Sequence, residues 1–490
     1  MDYSQFLMMP QELGLLVVFL LVFFIDTFLP AKMQGKTSAI TAGLFAVFTC
    51  ASVFFNQGGL AFDGMYEQNL ATYVVKVILN IGVLIVLIQS IKWSNSEFIS
   101  VRRGEFLELL LITLLGMYMM ISSRHFLLFV IGLETASLPL AALVAFDKKH
   151  YESHEAAAKY MFTAVFSSAI FMLGLSFVYA LSGSLYFTDI AVKVAGSHSL
   201  LMVVAVAFVI AGVGFKLSLV PFHLWTADVY QGAPTAVTAY LSVISKGAAA
   251  FAFLVILVQV FGSYYSEAWE WMLYAIIILT ITVGNLFAVR QRDLKRFLAF
   301  SSISQAGYIM LGVIAVNETG LASLMYYVLV YIFSNLGAFG VISAIENKTG
   351  KVNIDDYNGL FKTNPWLAFV MMLAMFSLAG IPPFAGFFSK FFIFVGACQT
   401  GSVAIYVLVL IALINTIISL YYYLLVVKAM FLKQDDCTIE NFKVACSERL
   451  GLLICSFGII LIGLISYIYG SLTIAAQYSS FGSSLFSFVR

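Results

Sequence analysis

Gly212-Val213-Gly214-Phe215-Lys216-Leu217-Ser218-Leu219-Val220-Pro221-Phe222-His223 is the stretch whose reading decides the fold. It sets a lysine, a helix-breaking proline and a histidine in the middle of a long apolar run. A charged side chain at the centre of a membrane helix costs roughly 2.5–3.5 kcal/mol on insertion scales, so a lysine at that depth asks for a functional reason. Pro221 has no N–H, and its ring clashes with the carbonyl of Leu217. Backbone freed in this way survives at membrane depth only against protein or a water-filled cavity. The stretch therefore predicts a broken helix around a polar cavity.

The surroundings agree. With 490 residues, 62% hydrophobic and 10% charged, the chain is far outside the soluble range. The expected fold is an all-α polytopic membrane protein. Apolar runs of about 18 residues or more place about fourteen spans, near 12–30, 38–56, 70–91, 105–123, 125–146, 154–182, 198–225, 234–261, 268–289, 295–316, 319–345, 365–398, 402–427 and 450–474.

A net charge of +1 conceals a strong asymmetry. The loops after odd-numbered spans hold Lys32, Lys36, Lys92, Arg102, Arg103, Lys148, Lys149, Arg290, Arg292, Lys295, Arg296, Lys348, Lys351, Lys362, Lys428, Lys433, Lys443 and Arg449. The termini and the other loops hold only Arg124, Lys193 and Arg490. Basic loops face the cytoplasm, so both termini are expected on the opposite side. Lys76, Lys159, Lys216, Lys246 and Lys390 remain inside the spans and need an explanation.

The first apolar stretch lacks a basic leader and is followed by Lys32 and Lys36, which reads as a retained span and not as a cleaved signal. Cys50, Cys398, Cys437, Cys446 and Cys455 show no CxxC or ligand-like cluster, which argues against iron–sulfur centres and a disulfide framework. No Walker loop occurs, and the glycines before Lys216 lie inside an apolar helix and not after a strand. Neither nucleotide hydrolysis nor a resident redox cofactor or metal is expected.

Other spans repeat the pattern of an ionisable group beside weakened helix. Glu134 is mid-span, with Pro139 following by the offset that separates Lys216 from Pro221. The two read as one device, unless Pro139 merely kinks the span and Glu134 is a buried structural partner. Glu155 and Lys159 share a helix face, either as a solvated ion pair or with Lys159 on a proton path. Lys246, with Ser242 and Ser245 on the same span, is too deep to reach the interface easily. In span 12, Gly380-Ile381-Pro382-Pro383 must interrupt the helix, and Lys390 follows among phenylalanines. Lys76, about two turns from a helix start, reads most simply as snorkelling to the interface. Gly58, Gly59, Asp63 and Glu67 read as an ordinary solvent-side connection.

Spans 7 and 12 are five apart and so cross in opposite directions. Paired broken helices in two halves point to two inverted five-helix repeats with a site at the midplane. The halves are expected at 101–265 (helices 4–8) and 266–435 (helices 9–13), with 1–100 before them and 436–490 after.

Desolvation disfavours a lysine's charged form and a nearby carboxylate restores it. Glu134, Lys216, Lys246 and Lys390, with His223 and hydroxyls between them, can therefore be switched by small changes in pairing, as a proton relay requires. They make a poor metal cage, which needs converging carboxylates or histidines. Moving one charge against about 100 mV costs about 2.3 kcal/mol. With no energy-supplying site in the chain, a second ion or a partner must provide it.

These motifs resemble a known family. Gly214-Phe215-Lys216 through Pro221-Phe222-His223-Leu224-Trp225-Thr226-Ala227-Asp228 to Gly232-Ala233-Pro234, with Ile131-Gly132-Leu133-Glu134 upstream and Gly380-Ile381-Pro382-Pro383 to Ser389-Lys390 downstream, resemble the antiporter-like membrane subunits of respiratory complex I, NADH:quinone oxidoreductase. The resemblance covers roughly residues 100–430. It implies that Glu134 modulates the charge of Lys216, that Lys216 and Lys246 form the first-half proton site, that Lys390 gates the second half, and that His223 bridges along a central polar axis. Sister subunits carry histidine or lysine in span 11 and histidine in span 8. Here Ser334, Asn335 and Lys246 stand instead, and no long lateral helix is expected after span 14; both set the chain apart from the larger sister subunits. With span 11 lacking a titratable group, water or span 10 polar residues must join Lys246 to Lys390.

The resemblance further implies a bacterial inner membrane, neighbouring membrane subunits as partners together with the lipid bilayer, and no nucleic acid. NADH, FMN, iron–sulfur clusters and quinone would belong to partner subunits. The alternatives are a cation/proton antiporter subunit independent of NADH, and a scaffold whose buried charges only lock helices together.

Overall fold

In hydrocarbon every backbone N–H and C=O must find its partner within the segment, so apolar runs of this length close as helices. The computed structural model describes residues 3–30, 33–56, 58–195, 199–262, 264, 267–432, 438–465 and 467–479. Lys32, Lys433, Cys437 and Arg490 lie outside the described residues. Among those described, twelve helices are long and apolar enough to cross a membrane.

The expectation of about fourteen spans departs from this at two places. Expected span 2 is the helix Thr37–Ser52, whose 16 residues fall just under the usual minimum of about 17 for a crossing. Expected span 12 is divided into Pro365–Ala379 and Ala385–Cys398, because Pro382 and Pro383 cannot donate to a helix ladder. The last predicted span also ends early. Its helix is Cys446–Leu464, and a separate helix, Tyr467–Gln477, follows.

Three helices form the centre: Thr235–Gln259, Leu294–Ile314 and Glu318–Thr349, each buried along its apolar length. They also carry polar side chains that lipid would not tolerate, including Ser242, Ser301, Ser302, Gln305, Ser334 and Asn335, all buried. Peripheral helices turn apolar residues outward instead, such as Phe162 and Phe166 on Tyr151–Ser182 and Ile417 on Val403–Leu432. Lipid tails give helices no hydrophobic reason to associate, so close approach and polar contacts must do so. Gly116 and Gly132 show this: a Cβ on Gly116 would meet the Ala136 N at 2.4 Å, and one on Gly132 would meet the Met120 N at 2.8 Å.

The connection between the second and third expected spans is ordered structure and not a plain loop. Strands Gly59–Ala61 and Tyr66–Gln68 pair antiparallel, and Asp63 (φ 53°) and Gly64 (φ 83°) take the left-handed turn conformation. Asn69 then caps the helix Leu70–Ser94 through a reciprocal capping box with Thr72.

Candidate functional site

The first broken span consists of Leu200–Leu217 and Leu224–Gly232. Its first half ends when Ser218 adopts a left-handed conformation at φ 61°. The carbonyls freed there are met locally: Gly214 O accepts from Leu219 N at 2.8 Å and Phe215 O accepts from the Trp225 indole at 3.2 Å. Thr280 Oγ1 accepts from Val220 N at 3.0 Å, tying the interruption to a neighbouring helix. The break therefore starts at Ser218, three residues before Pro221, and it is stitched and not open.

Lys216 lies at the end of that first half and is 5% exposed. Its ammonium donates to Tyr160 Oη at a long 3.4 Å. Glu134 acts on Lys216 and Tyr160 through space, yet its Oε1 is buried with no hydrogen-bond partner. The helix Phe126–Val144 runs through Pro139 unbroken. Glu134 and Pro139 thus do not repeat the Lys216–Pro221 device; one missing bond inside a well-packed helix is tolerated where a neighbour supports it.

Lys246 follows a π-helical turn, Leu241–Ser245, a geometry that recurs at functional positions. Its ammonium donates to Ser302 Oγ at 2.6 Å and stands 5.6 Å from the Tyr230 ring centre. Tyr230 is on the second half of the first broken span, so the break and Lys246 meet through that ring. Among the described residues, no ion pair locks Lys216 or Lys246 into one charge state.

Lys390 has a different role in its surroundings. Its ammonium donates to Leu378 O at 3.0 Å and Ala379 O at 3.1 Å, the carbonyls left free where Pro365–Ala379 ends. It also lies 5.1 Å from the Tyr308 ring centre. Positive charge at a helix C-terminus is favoured by the aligned peptide dipoles. Gly386 permits the fit, since a Cβ there would come within 1.7 Å of Ser377 O. Gly386→Ala should cost at least about 2 kcal/mol by overpacking, read as a lower thermal midpoint of the purified complex. Gly43→Ala, at a helical position with nothing within 4 Å, is the matched control and should not lower the midpoint.

Between Lys246 and Lys390 the structure places span 10 and span 11 side chains. Ser302 receives Lys246 and also faces the Tyr331 hydroxyl, which is buried and otherwise unpartnered. Asn335 donates to Ser242 Oγ at 2.7 Å, and Ser334 and Ser377 share a hydrogen bond of 2.7 Å. A cavity of about 10 Å³ is bordered by Gln305, Tyr327, Tyr331, Ser334, Ser377 and Lys390, close to the room one water needs.

The remaining predicted residues lie apart from this row. His223 is half-buried at the break, its Nδ1 unpartnered, and it contacts none of the buried lysines by hydrogen bond. Its expected bridging role has no direct contact behind it, because Leu224–Gly232 turns Tyr230, and not His223, toward Lys246. Lys159 is 42% exposed and paired with Glu155 and Asp228, each at 2.7 Å. Arg296 Nη1 also donates to Asp228 at 2.7 Å. Lys159 thus belongs to a surface charge cluster.

Two features escaped the sequence reading. Lys295, read only as a topology determinant, is buried and donates to Ala233 O at 3.0 Å and Glu346 at 3.2 Å; Thr235 also donates to Glu346. These residues, with Asp147, His150 and Asp293, border a cavity of about 560 Å³ at the foot of Thr235–Gln259. Burial pushes the Asp293 carboxyl up, and the Arg296 N–H it accepts from as a helix cap offsets part of that. Lys76 is the second. It is wholly buried against Glu12 at 2.5 Å, which replaces the snorkelling expectation.

The family profile described as NADH:quinone oxidoreductase/Mrp antiporter, TM, matches residues 123–419. NADH-quinone oxidoreductase subunit N of Phocaeicola vulgatus is 53% identical over 470 residues, covering 96% of this chain and 98% of the relative. A chain of respiratory complex I from Thermus thermophilus, solved with bound aureothin, has a TM-score of 0.79 at 30% identity over 94% of this chain and 99% of that one. A chain of the Mrp complex from Dietzia reaches a TM-score of 0.84 at 20% identity, with all of both chains covered, a likeness of fold. By profile, by relatives matched along nearly their whole length and by fold, this chain belongs to the NADH:quinone oxidoreductase/Mrp antiporter transmembrane family.

Proposed function

We propose that the chain is the proton-translocating membrane subunit of a bacterial NADH-quinone oxidoreductase, with both termini periplasmic. Protons are passed among Glu134, Lys216, Lys246 and Lys390, with Lys159 at the surface cluster and His223 at the first break flanking the row. Residues 101–265 and 266–435 act as its two halves, with 1–100 and 436–490 outside them. Partner subunits carry NADH, FMN, the iron–sulfur clusters and quinone, and quinone reduction there drives the transfer.

The observation that carries this reading is the run of contacts Lys216–Tyr160, Lys246–Ser302–Tyr331 and Ser334–Ser377, ending at the cavity beside Lys390. Hydroxyls both donate and accept, so they can hand on a proton where carboxylates or histidines are missing.

The fold is also that of Mrp complex chains, so sodium- or potassium-driven exchange is the second reading. The two separate in closed membrane vesicles containing the assembled complex. NADH should drive proton uptake at the same ratio to NADH oxidised with and without sodium and potassium. Proton flux driven by a sodium or potassium gradient alone, without NADH, would sink the first reading in favour of the second.

A further inference from the structure

Glu12 and Lys76 are 64 residues apart and belong to the N-terminal helices, outside both halves of the candidate path. The Lys76 ammonium uses all three donors, on Glu12 Oε1 at 2.5 Å, Tyr66 Oη at 3.1 Å and Gln68 Oε1 at 3.2 Å. Tyr66 lies 2.9 Å from Glu12 Oε2 as a donor. The whole cluster is roofed by the hairpin strand Tyr66–Gln68, whose middle residue Glu67 accepts from Arg124 at 2.6 Å. A buried ion pair is weak evidence for stability, because well-packed apolar residues do as well or better. Its presence here needs another reason.

Two further observations supply one. Among the described residues, polar atoms around the pair are buried without a hydrogen-bond partner: Asn80 Nδ2, one turn along from Lys76, and both amide atoms of Gln11, next to Glu12. Such groups are normally satisfied by water. The cluster also reaches toward the first-half site, by contact as far as Tyr118 and by electrostatics beyond it. Tyr118, whose ring is 5.5 Å from the Lys76 ammonium, donates to Asn80 Oδ1 and interacts through space with Tyr240. Tyr240 shares a 2.8 Å hydrogen bond with Thr113 and lies within electrostatic reach of Tyr160, the partner of Lys216.

We propose that Glu12 and Lys76 form an additional proton-holding site, joined to the Lys216 region through Asn80, Tyr118 and Tyr240 and opening toward the hairpin side. The inference rests on the proton-translocating reading above. In one cycle Glu12 takes a proton arriving from the Tyr118 side, leaving the pair with one excess positive charge. One proton then leaves on the hairpin side, and the pair returns to a carboxylate and an ammonium. No electron moves. The basic-residue count places the hairpin away from the cytoplasm, so this is a route outward that does not use Lys390.

The test is the number of protons taken up per NADH oxidised in vesicles, normalised to assembled complex. Single substitutions strand a buried charge, so the informative variant is the neutral pair Glu12→Gln with Lys76→Met. Tyr118→Phe keeps the ring and removes only the connecting hydroxyl. Both should assemble and lower the ratio at least about two-fold, as loss of a positioned proton carrier requires. An ion pair that only pins the first helix predicts an unchanged ratio in both. If the double variant does not assemble, Tyr118→Phe decides alone, and an unchanged ratio overturns the proposal. Lys216→Ala run alongside separates the two claims: normal coupling there defeats the general reading, whereas normal coupling confined to the N-terminal variants defeats only this one.

Discussion

Vesicles carrying Lys216→Ala are expected to assemble the complex, oxidise NADH with an artificial acceptor at the normal rate, and lose quinone-linked proton uptake almost entirely. Assembly should survive because little is broken. The lysine gives one 3.4 Å hydrogen bond to Tyr160, and Glu134 Oε1 is already unpartnered, so no ion pair is split by the change. The transfer itself should not survive, because a positioned proton carrier contributes about 10² to 10⁴ in rate. Quinone-linked oxidation should fall together with pumping if the two are obligatorily coupled. Unchanged pumping per assembled complex would make Lys216 a structural residue and remove the centre of the proposed path.

Lys390 should behave differently because it holds structure as well as charge. Lys390→Ala leaves the Ala379 carbonyl without its side-chain donor and the Leu378 carbonyl with only a long 3.5 Å contact from Gln305, and an unsatisfied buried group costs about 1–3 kcal/mol. This variant should lose both pumping and thermal stability. Lys390→Arg separates the two effects. A guanidinium can still donate to the helix end but is not deprotonated in proteins. The arginine variant is therefore expected to keep the thermal midpoint near that of the unaltered complex while proton uptake per NADH stays at the alanine level. Normal pumping with arginine would show that Lys390 is a helix cap and nothing more.

What sequence alone made legible was local chemistry. Lys216 with Pro221, and Pro382 and Pro383 with Lys390, announce broken spans because the signals sit within a turn or two of one another. Where a signal depends on what packs alongside, the reading failed. Pro139 has the same offset from Glu134 as Pro221 from Lys216, yet its helix is continuous, since neighbours decide whether one missing bond opens a helix. Lys76 is close enough to a helix end to snorkel, but Glu12, remote in sequence, holds it inside. The link between Lys246 and Lys390 was narrowed to water or span 10 side chains. Ser302 and Gln305 come from that span, while Tyr331 and Ser334 from span 11 also lie between the two lysines. Neutral hydroxyls carry no charge signal that would have singled them out.

The π-helical turn before Lys246 has a consequence in rotational phase. An α-helix advances about 100° per residue, so the one residue that such a turn adds rotates everything after it by about that much relative to a regular helix. Upstream of Leu241–Ser245 the helix presents Tyr240 to Thr113; downstream it presents Lys246 to Ser302. A helix without the extra residue would keep one of these partners and swing the other side chain away by more than a quarter-turn. The two ends of a single helix are thus indexed independently, and the bulge is the offset between their two dials.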